Sequence, residues 1–231
     1  MKNFRNIKGT HDILPEDSYK WRHLESIVHQ VCAQFGYQEI RTPIFEQNKL
    51  FSRSVGEESD IVTKEMYSWE DKDNSFLTLR PELTAPVVRA YNQHSLGNIS
   101  PIHRLYYIGP LFRRERPQKG RQRQFHQFGI EAFGSNFAEQ DAETIALAWQ
   151  VLSHFGLANK IDLQLNSIGT RESRSAYRDA LKQFLKPHFD ELSEISKGRF
   201  NTNPLRILDS KNKKEQTLLK IVLKHFDILL Y

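Results

Sequence analysis

Cysteine is almost absent: Cys32 is the only one in 231 residues, so no intrachain disulfide can form. It falls on the apolar side of a predicted helix, which suits a buried inert thiol in a reducing compartment. Long apolar runs are missing too. The stretch from Ile221 to Tyr231 is interrupted by Lys224, His225 and Asp227 and is too short to span a bilayer. Met1-Lys2-Asn3-Phe4-Arg5 carries charge without an apolar segment after it, so no secretory signal and a cytoplasmic location are expected. No P-loop glycine pattern occurs, and the nine histidines do not pair with Cys or carboxylates at zinc-ligand spacing. No metal site made by protein ligands is therefore expected, and any nucleotide must be held in another way. What is present is a 39% apolar chain, enough for one sizeable core or a core plus a small appendage. Its net charge of +5 is modest, but the cations cluster between Arg113 and Arg123.

Trp21, Leu24, Val28, Val31 and Phe35 recur at helical spacing from about Asp17, and Gly36 stands where a helix ends. Tyr37 to Phe45 contains Pro43 and reads as an extended or edge segment. Ile61 to Trp69 and Phe76 to Leu79 flank the polar Asp71-Lys72-Asp73-Asn74 and predict an antiparallel hairpin. Pro81 leads into a helix bearing Leu83, Val87, Val88 and Tyr91, with Pro86 in its first turn, so Glu82 and Thr84 lie at a strand-to-helix corner. Arg104 to Phe112 and Gln124 to Phe133 predict two strands joined by a long loop. Glu139 to Phe155 predicts a helix with Ile145, Trp149, Leu152 and Phe155 facing the core, closed by Gly156. Ile161 to Leu165 reads as a short strand, and Glu172 to Leu185 as a surface helix in a small helical appendage.

The loop between the two long strands presents Arg113, Arg114, Arg116, Lys119, Arg121 and Arg123, a density of cations suited to polyphosphate or nucleic acid. A charge run also serves as a plain solvated face, but this one is held between two apolar strands. In the second strand, period-2 alternation puts Phe125, Gln127, Gly129, Glu131 and Phe133 on one face and His126, Phe128, Ile130 and Ala132 on the other. Gln127 and Glu131 astride a glycine make a polar notch where a small ligand can approach the sheet, unless that face is simply exposed. Glu82 alone reads equally as a carboxylate favoured at a helix start. His126, Tyr106 and Tyr107 read as packing residues.

Several stretches resemble class II aminoacyl-tRNA synthetases, and specifically the histidyl-tRNA synthetases. These are Gly9 to Pro15, Leu77 to Glu82 and the long run Tyr107 to Gln127, which resembles motif 2 of the class. The first helix with Arg41-Thr42-Pro43 resembles motif 1, the dimer-forming element. Asn166-Ser167-Ile168-Gly169 and Asn203 to Lys211 are similar as well, whereas Lys220 to Tyr231 are less so.

The resemblance implies an α+β fold, a class II antiparallel sheet flanked by helices and incomplete at the C-terminus. Residues 1–165 would form the front of the catalytic core, with motifs 1 and 2, and 166–231 the start of a helical insertion. It implies histidine activation with ATP and Mg²⁺ and transfer to tRNA(His) by a homodimer joined through motif 1. Glu82, Leu83, Thr84, Arg113, Gln127 and Glu131 would bind histidine, with Glu131 at the imidazole and Arg113 catalytic at the α-phosphate. Arg113, Glu115, Arg121 and Phe125 would hold ATP, and Arg116, Lys119 and Arg123 would meet the tRNA acceptor end.

Leu83 stands where the family usually has glycine, so a bulky side chain is expected at the corner. Tyr231 comes roughly halfway through a family member, before motif 3, so an open sheet edge, exposed apolar surface and weak stability are expected. A histidine-binding regulatory relative, or a fragment that only dimerises, are the other readings.

Overall fold

The structure is a computed structural model that describes residues 4–55, 61–166 and 169–226. Ser167 and Ile168, and positions 227–231 of the closing apolar stretch, lie outside the described residues. The chain divides into two compact units, Met1–Ile161 and Asp162–Tyr231.

In the first unit, α1 (Pro15–Gln34) begins with proline and has Glu16 and Asp17 in its first turn, where the missing N–H and the helix dipole favour them. Gly36, at φ +74°, lets the chain turn away from the helix end. Then come β1 (Gln38–Glu39), β2 (Phe45–Gln47), α2 (Asn48–Val55), β3 (Tyr67–Glu70) and β4 (Phe76–Leu79). After α3 (Thr84–Gln93), β5 (His103–Phe112) and β6 (Gln124–Phe133) form a ribbon that α4 (Ala138–His154) follows. The strands make two sheets, ordered β1-β5-β6 and β2-β4-β3, antiparallel except where β1 runs parallel to β5. The β5–β6 ribbon stays in register from His103 opposite Phe133 to Phe112 opposite Gln124. It ends at Gly134, φ +94°, where a Cβ would collide with the carbonyl oxygen of Pro101. Among the described residues β6 pairs with β5 alone, which leaves its outer edge open.

The ribbon has a core on each face. Tyr106, Ile108, Phe128 and Ile130 pack with Val28, Val31 and Cys32 of α1 and Leu147 and Val151 of α4. On the opposite face Leu105, Tyr107 and Leu111 pack with Leu83, Val87, Phe125 and Phe133. The predicted alternation of β6 is what the structure shows.

Four expectations need correction. In α4 the fully buried residues are Leu147 and Val151, whereas Trp149 is exposed. The helix carries apolar residues on two sides; packing buries Leu147 and Val151, and of the expected set Phe155 packs with them. Ile61–Glu65 winds into a π-helical turn rather than the first half of a strand, and β3 begins only at Tyr67. Ile161 to Leu165 is irregular, with Leu163 and Leu165 exposed; β-prone residues do not make a strand without a partner. Finally, α5 (Arg171–Leu185) is a surface helix only in its first half.

The second unit has its own core. Leu181 and Leu185 of α5 are fully buried there with Leu192, Ile207 and Leu219, beside α6 (Glu194–Thr202) and α7 (Lys213–Phe226). Glu215 is buried with them, and its carboxylate accepts from Ser193 N at 2.6 Å, Ser196 Oγ at 3.0 Å and Ser210 Oγ. These donors answer the rule that a buried charge must be hydrogen-bonded.

Candidate active site

The corner after β4 is built from Arg80 to Thr84. Glu82 turns its carboxylate back onto the start of α3, accepting from Ala85 N at 3.1 and 3.2 Å, so it supplies the cap that the Leu83 side chain cannot. Burial pushes the Glu82 carboxyl above its ordinary value, while the N–H groups of Ala85 and Thr84 pull it down. The negative charge of Glu131 adds to the rise and Arg113 opposes it, so both lie close enough for their charges to be felt.

Across the ribbon, Tyr107 on β5 lies flat over Gly129 on β6; a Cβ at Gly129 would stand 2.5 Å from the Tyr107 Cζ. Gly129 therefore serves the tyrosine ring as well as any ligand. The Tyr107 hydroxyl donates to Glu131 Oε1 at 3.3 Å and also interacts with the Thr84 side chain. Burial is the main cause that pushes its phenol up to about 12, so it stays protonated as a donor. Tyr107 thus joins the two ends of the site, a role that its apolar, β-prone neighbours concealed in the sequence. Tyr106 faces the other way, its hydroxyl 2.7 Å from His29 Nδ1, and His126 lies against Trp21.

Arg113, the first residue after β5, donates from Nε to the Pro81 carbonyl at 2.9 Å and lays its guanidinium over the Phe125 ring at 5.3 Å. One face of the Phe125 ring, which the resemblance assigns to ATP, is therefore covered by a cation. Glu115 and Arg121 form an ion pair at 2.9 Å across the loop, in which Gln118 and Arg121 make a tight turn. Arg116 and Lys119 extend into solvent, whereas Arg123 is anchored at the loop base. Its N–H donates to the Gly9 carbonyl at 2.7 Å, and Gln124 N donates to the same oxygen at 3.2 Å. Gly9, at φ +89°, fits between Arg123 and Pro117, where a Cβ would approach both side chains to 2.9 Å. The opening Gly9 to Pro15 segment thus fixes the basic loop, a contact that turn residues alone could not announce.

Glu82, Thr84, Tyr107, Arg113 and Glu131 are thereby gathered around one corner of the ribbon, while Gln127 stands exposed on β6 opposite Gly109. Leu83 is a second exception. Its side chain is 2% exposed and turned into the core with Val87 and Leu111, so the expected bulk does not enter the site and only its backbone lies at the corner. A cavity of about 850 Å³, lined among others by Arg53, Glu82, Thr84, Arg89, Asn92 and Gln93, opens from the corner along α2 and α3. The sequence draws attention to the apolar side of α3 but not to α2 or to Arg89, Asn92 and Gln93, because polar residues on a short helix are ordinary. Among the described residues no cluster of three or more His, Cys, Asp or Glu could hold a metal ion. The charge of the arginine-rich loop suits a triphosphate.

The sequence matches the family model described as histidyl-tRNA synthetase over residues 9–185. It is 58% identical over 210 residues to the histidine–tRNA ligase of Chloroherpeton thalassium, covering 90% of this chain and 49% of that protein. The histidine–tRNA ligase of Levilactobacillus brevis is 52% identical over 218 residues, covering 94% of this chain and 50% of the relative. The apo crystal structure of S. aureus histidyl-tRNA synthetase superposes with a TM-score of 0.73 at 37% identity, over 98% of this chain and 55% of that one. The chain spans about half the length of the curated relatives it matches. The motif-like segments, the ribbon with its notch and the 177 residues from 9 to 185 under one family model agree: the chain belongs to the histidyl-tRNA synthetase family.

Proposed function

We propose that this chain activates histidine with ATP and passes the histidyl group to tRNA(His). The observation that supports this most is the pair of carboxylates, Glu82 and Glu131, each within reach of the other's charge and of Arg113, with the Tyr107 hydroxyl bonded to Glu131 and Thr84 between them. In this reading Glu82, Thr84 and Gln127 receive the α-amino end of histidine, and Glu131 accepts from the imidazole. Leu83 contributes through its backbone alone. A carboxylate caged this way rewards a ligand that donates hydrogen bonds and rejects one of the same shape that does not.

The histidine carboxylate attacks the α-phosphorus in line; the bond to the β-phosphate oxygen breaks, and pyrophosphate leaves with the electron pair. Arg113 stabilises the charge on the α-phosphoryl oxygens, and no protein nucleophile is required. Mg²⁺ bound to the phosphates would screen their charge. Glu115 and Phe125 are assigned to adenine, with Arg113 shifting from the ring onto the phosphate, and Arg121 to the outer phosphates once it leaves Glu115. A terminal ribose hydroxyl of the tRNA then attacks the acyl carbon, loses its proton and releases AMP. Arg116, Lys119 and Arg123 are assigned to that acceptor end. A homodimer joined through α1 and Arg41-Thr42-Pro43, working in the cytoplasm, completes the reading.

The test is histidine-dependent exchange of pyrophosphate into ATP by the purified chain, with the other amino acids as controls. Exchange with histidine alone is expected, falling about 100-fold or more in Arg113→Ala, as for loss of one preorganised charge stabiliser. No exchange with histidine, or equal exchange in the variant, would remove the activity or the role.

A further inference from the structure

Arg80 sits two residues before Glu82 and is 5% exposed, yet among the described residues no carboxylate forms an ion pair with it, although it feels the charge of Glu46. Its guanidinium is satisfied by backbone carbonyls: Nε donates to Pro110 O at 3.0 Å, and Nη1 donates to Thr42 O at 2.7 Å and Pro43 O at 3.2 Å. Its own backbone is held as well, with Arg80 N donating to Ile44 O at 2.9 Å and Phe112 N donating to Arg80 O at 3.1 Å. One residue thus links the Thr42–Pro43 segment, the end of β5 and the corner that follows β4. Gly109 leaves the room, since a Cβ there would stand 2.5 Å from the Arg80 Nη2. Only a planar fork with donors on two sides reaches carbonyls from two separate segments at once; an ammonium group is too compact.

The next residue is Pro81, whose ring fixes φ and whose carbonyl is held by Arg113 Nε at 2.9 Å. A displacement at Arg80 is therefore passed to Glu82 with little slack to absorb it. We infer that Arg80 is a positioning residue, which sets the placement of the Glu82 carboxylate and of the start of α3 by clamping the corner to β5 and to Thr42–Pro43. The inference rests on the proposed histidine-binding role of Glu82 for its functional consequence, but the clamp itself is testable without it.

The experiment uses the full chain with Arg80→Met and, as the milder variant, Arg80→Lys. Amide hydrogen exchange is followed at Ala85, whose N–H donates to Glu82, and at Val28 and Val31 in α1. Histidine and ATP dependence of pyrophosphate exchange are measured alongside. With Arg80→Met, exchange at Ala85 is expected to quicken about tenfold or more while Val28 and Val31 keep their protection, as for loss of charge-assisted hydrogen bonds at one place. The KM for histidine is expected to rise by a similar factor, with that for ATP unchanged, and Arg80→Lys should fall between the two proteins. Unchanged protection at Ala85, or equal loss at all three amides, would overturn the clamp. If the unmodified chain shows no response to histidine, the enzymatic reading fails, and the amide exchange still decides the role of Arg80.

Discussion

The two faces of the β5–β6 ribbon take alternate members of its ten residue pairs, five each, yet they are built on opposite rules. On the face toward α1 and α4, Tyr106, Ile108, Phe128 and Ile130 meet Val28, Val31, Leu147 and Val151, so shape and apolar area decide the packing. On the other face Gly109, Gln127, Gly129 and Glu131 interrupt the apolar packing that Leu105, Tyr107, Leu111, Phe125 and Phe133 make. The first face contributes stability, and the second trades contact area for a polar recess. A sheet serves both purposes because side chains alternate, so neither set of choices constrains the other.

This contrast is open to direct attack. Leu147→Ala removes a fully buried side chain from the helix face and should destabilise the fold by about 2–5 kcal/mol in denaturant titration. The folded fraction should still gain thermal stability from histidine; loss of that response in protein shown to be folded would mean the faces are not independent. Gly129→Ala works in the reverse direction. The new Cβ must expel the Tyr107 ring from its bond to Glu131, so the cost in stability should be about 1–3 kcal/mol while the histidine response disappears. An intact response in that variant would place the ligand elsewhere.

The smallest effect concerns an ion pair on the helix face. Arg104 on β5 donates to both oxygens of Glu143 on α4, at 2.8 and 3.0 Å, and this bond is the main cause that holds the Glu143 carboxyl below its ordinary 4.5. Because the folded value is the lower one, the stabilisation is complete above about pH 4.5 and is lost as pH falls through the folded value. Glu143→Gln should lower stability at pH 7 by less than about 1 kcal/mol, and the difference from the unmodified protein should shrink at pH 3. A difference that grows on acidification would show that the pair is not the source.

Much of this arrangement was legible in the sequence, for identifiable reasons. The inside-out alternation of β6 could be read because a strand fixes every side chain by its parity, and Gln127, Gly129 and Glu131 fell together without any knowledge of the rest. The corner at Glu82 could be read because Pro81 and Pro86 limit where a helix can begin. What stayed hidden depended on distant partners. Leu83 stands where the family usually has glycine, which predicts bulk at the corner, but Val87 and Leu111 draw its side chain into the core. Tyr107 does pack, as its β-prone neighbours predict, but its bond to Glu131 depends on the glycine opposite it, which nothing local reveals. The face of α4 was misjudged because both of its apolar sides satisfy a helical repeat, and only α1 and the ribbon decide between them.

Gly134 carries a consequence for heredity. The obstacle to a side chain at that position is the main-chain oxygen of Pro101, which no rotamer can move aside. Every missense change of a glycine codon introduces a Cβ, so no amino-acid replacement there is gentle, and the codon can drift only through synonymous bases. At Gly198, where a Cβ would meet nothing within 4 Å, the same nucleotide changes are sterically free. Two glycines that look alike in the sequence thus stand at opposite ends of the range of mutations a lineage of this chain can accept.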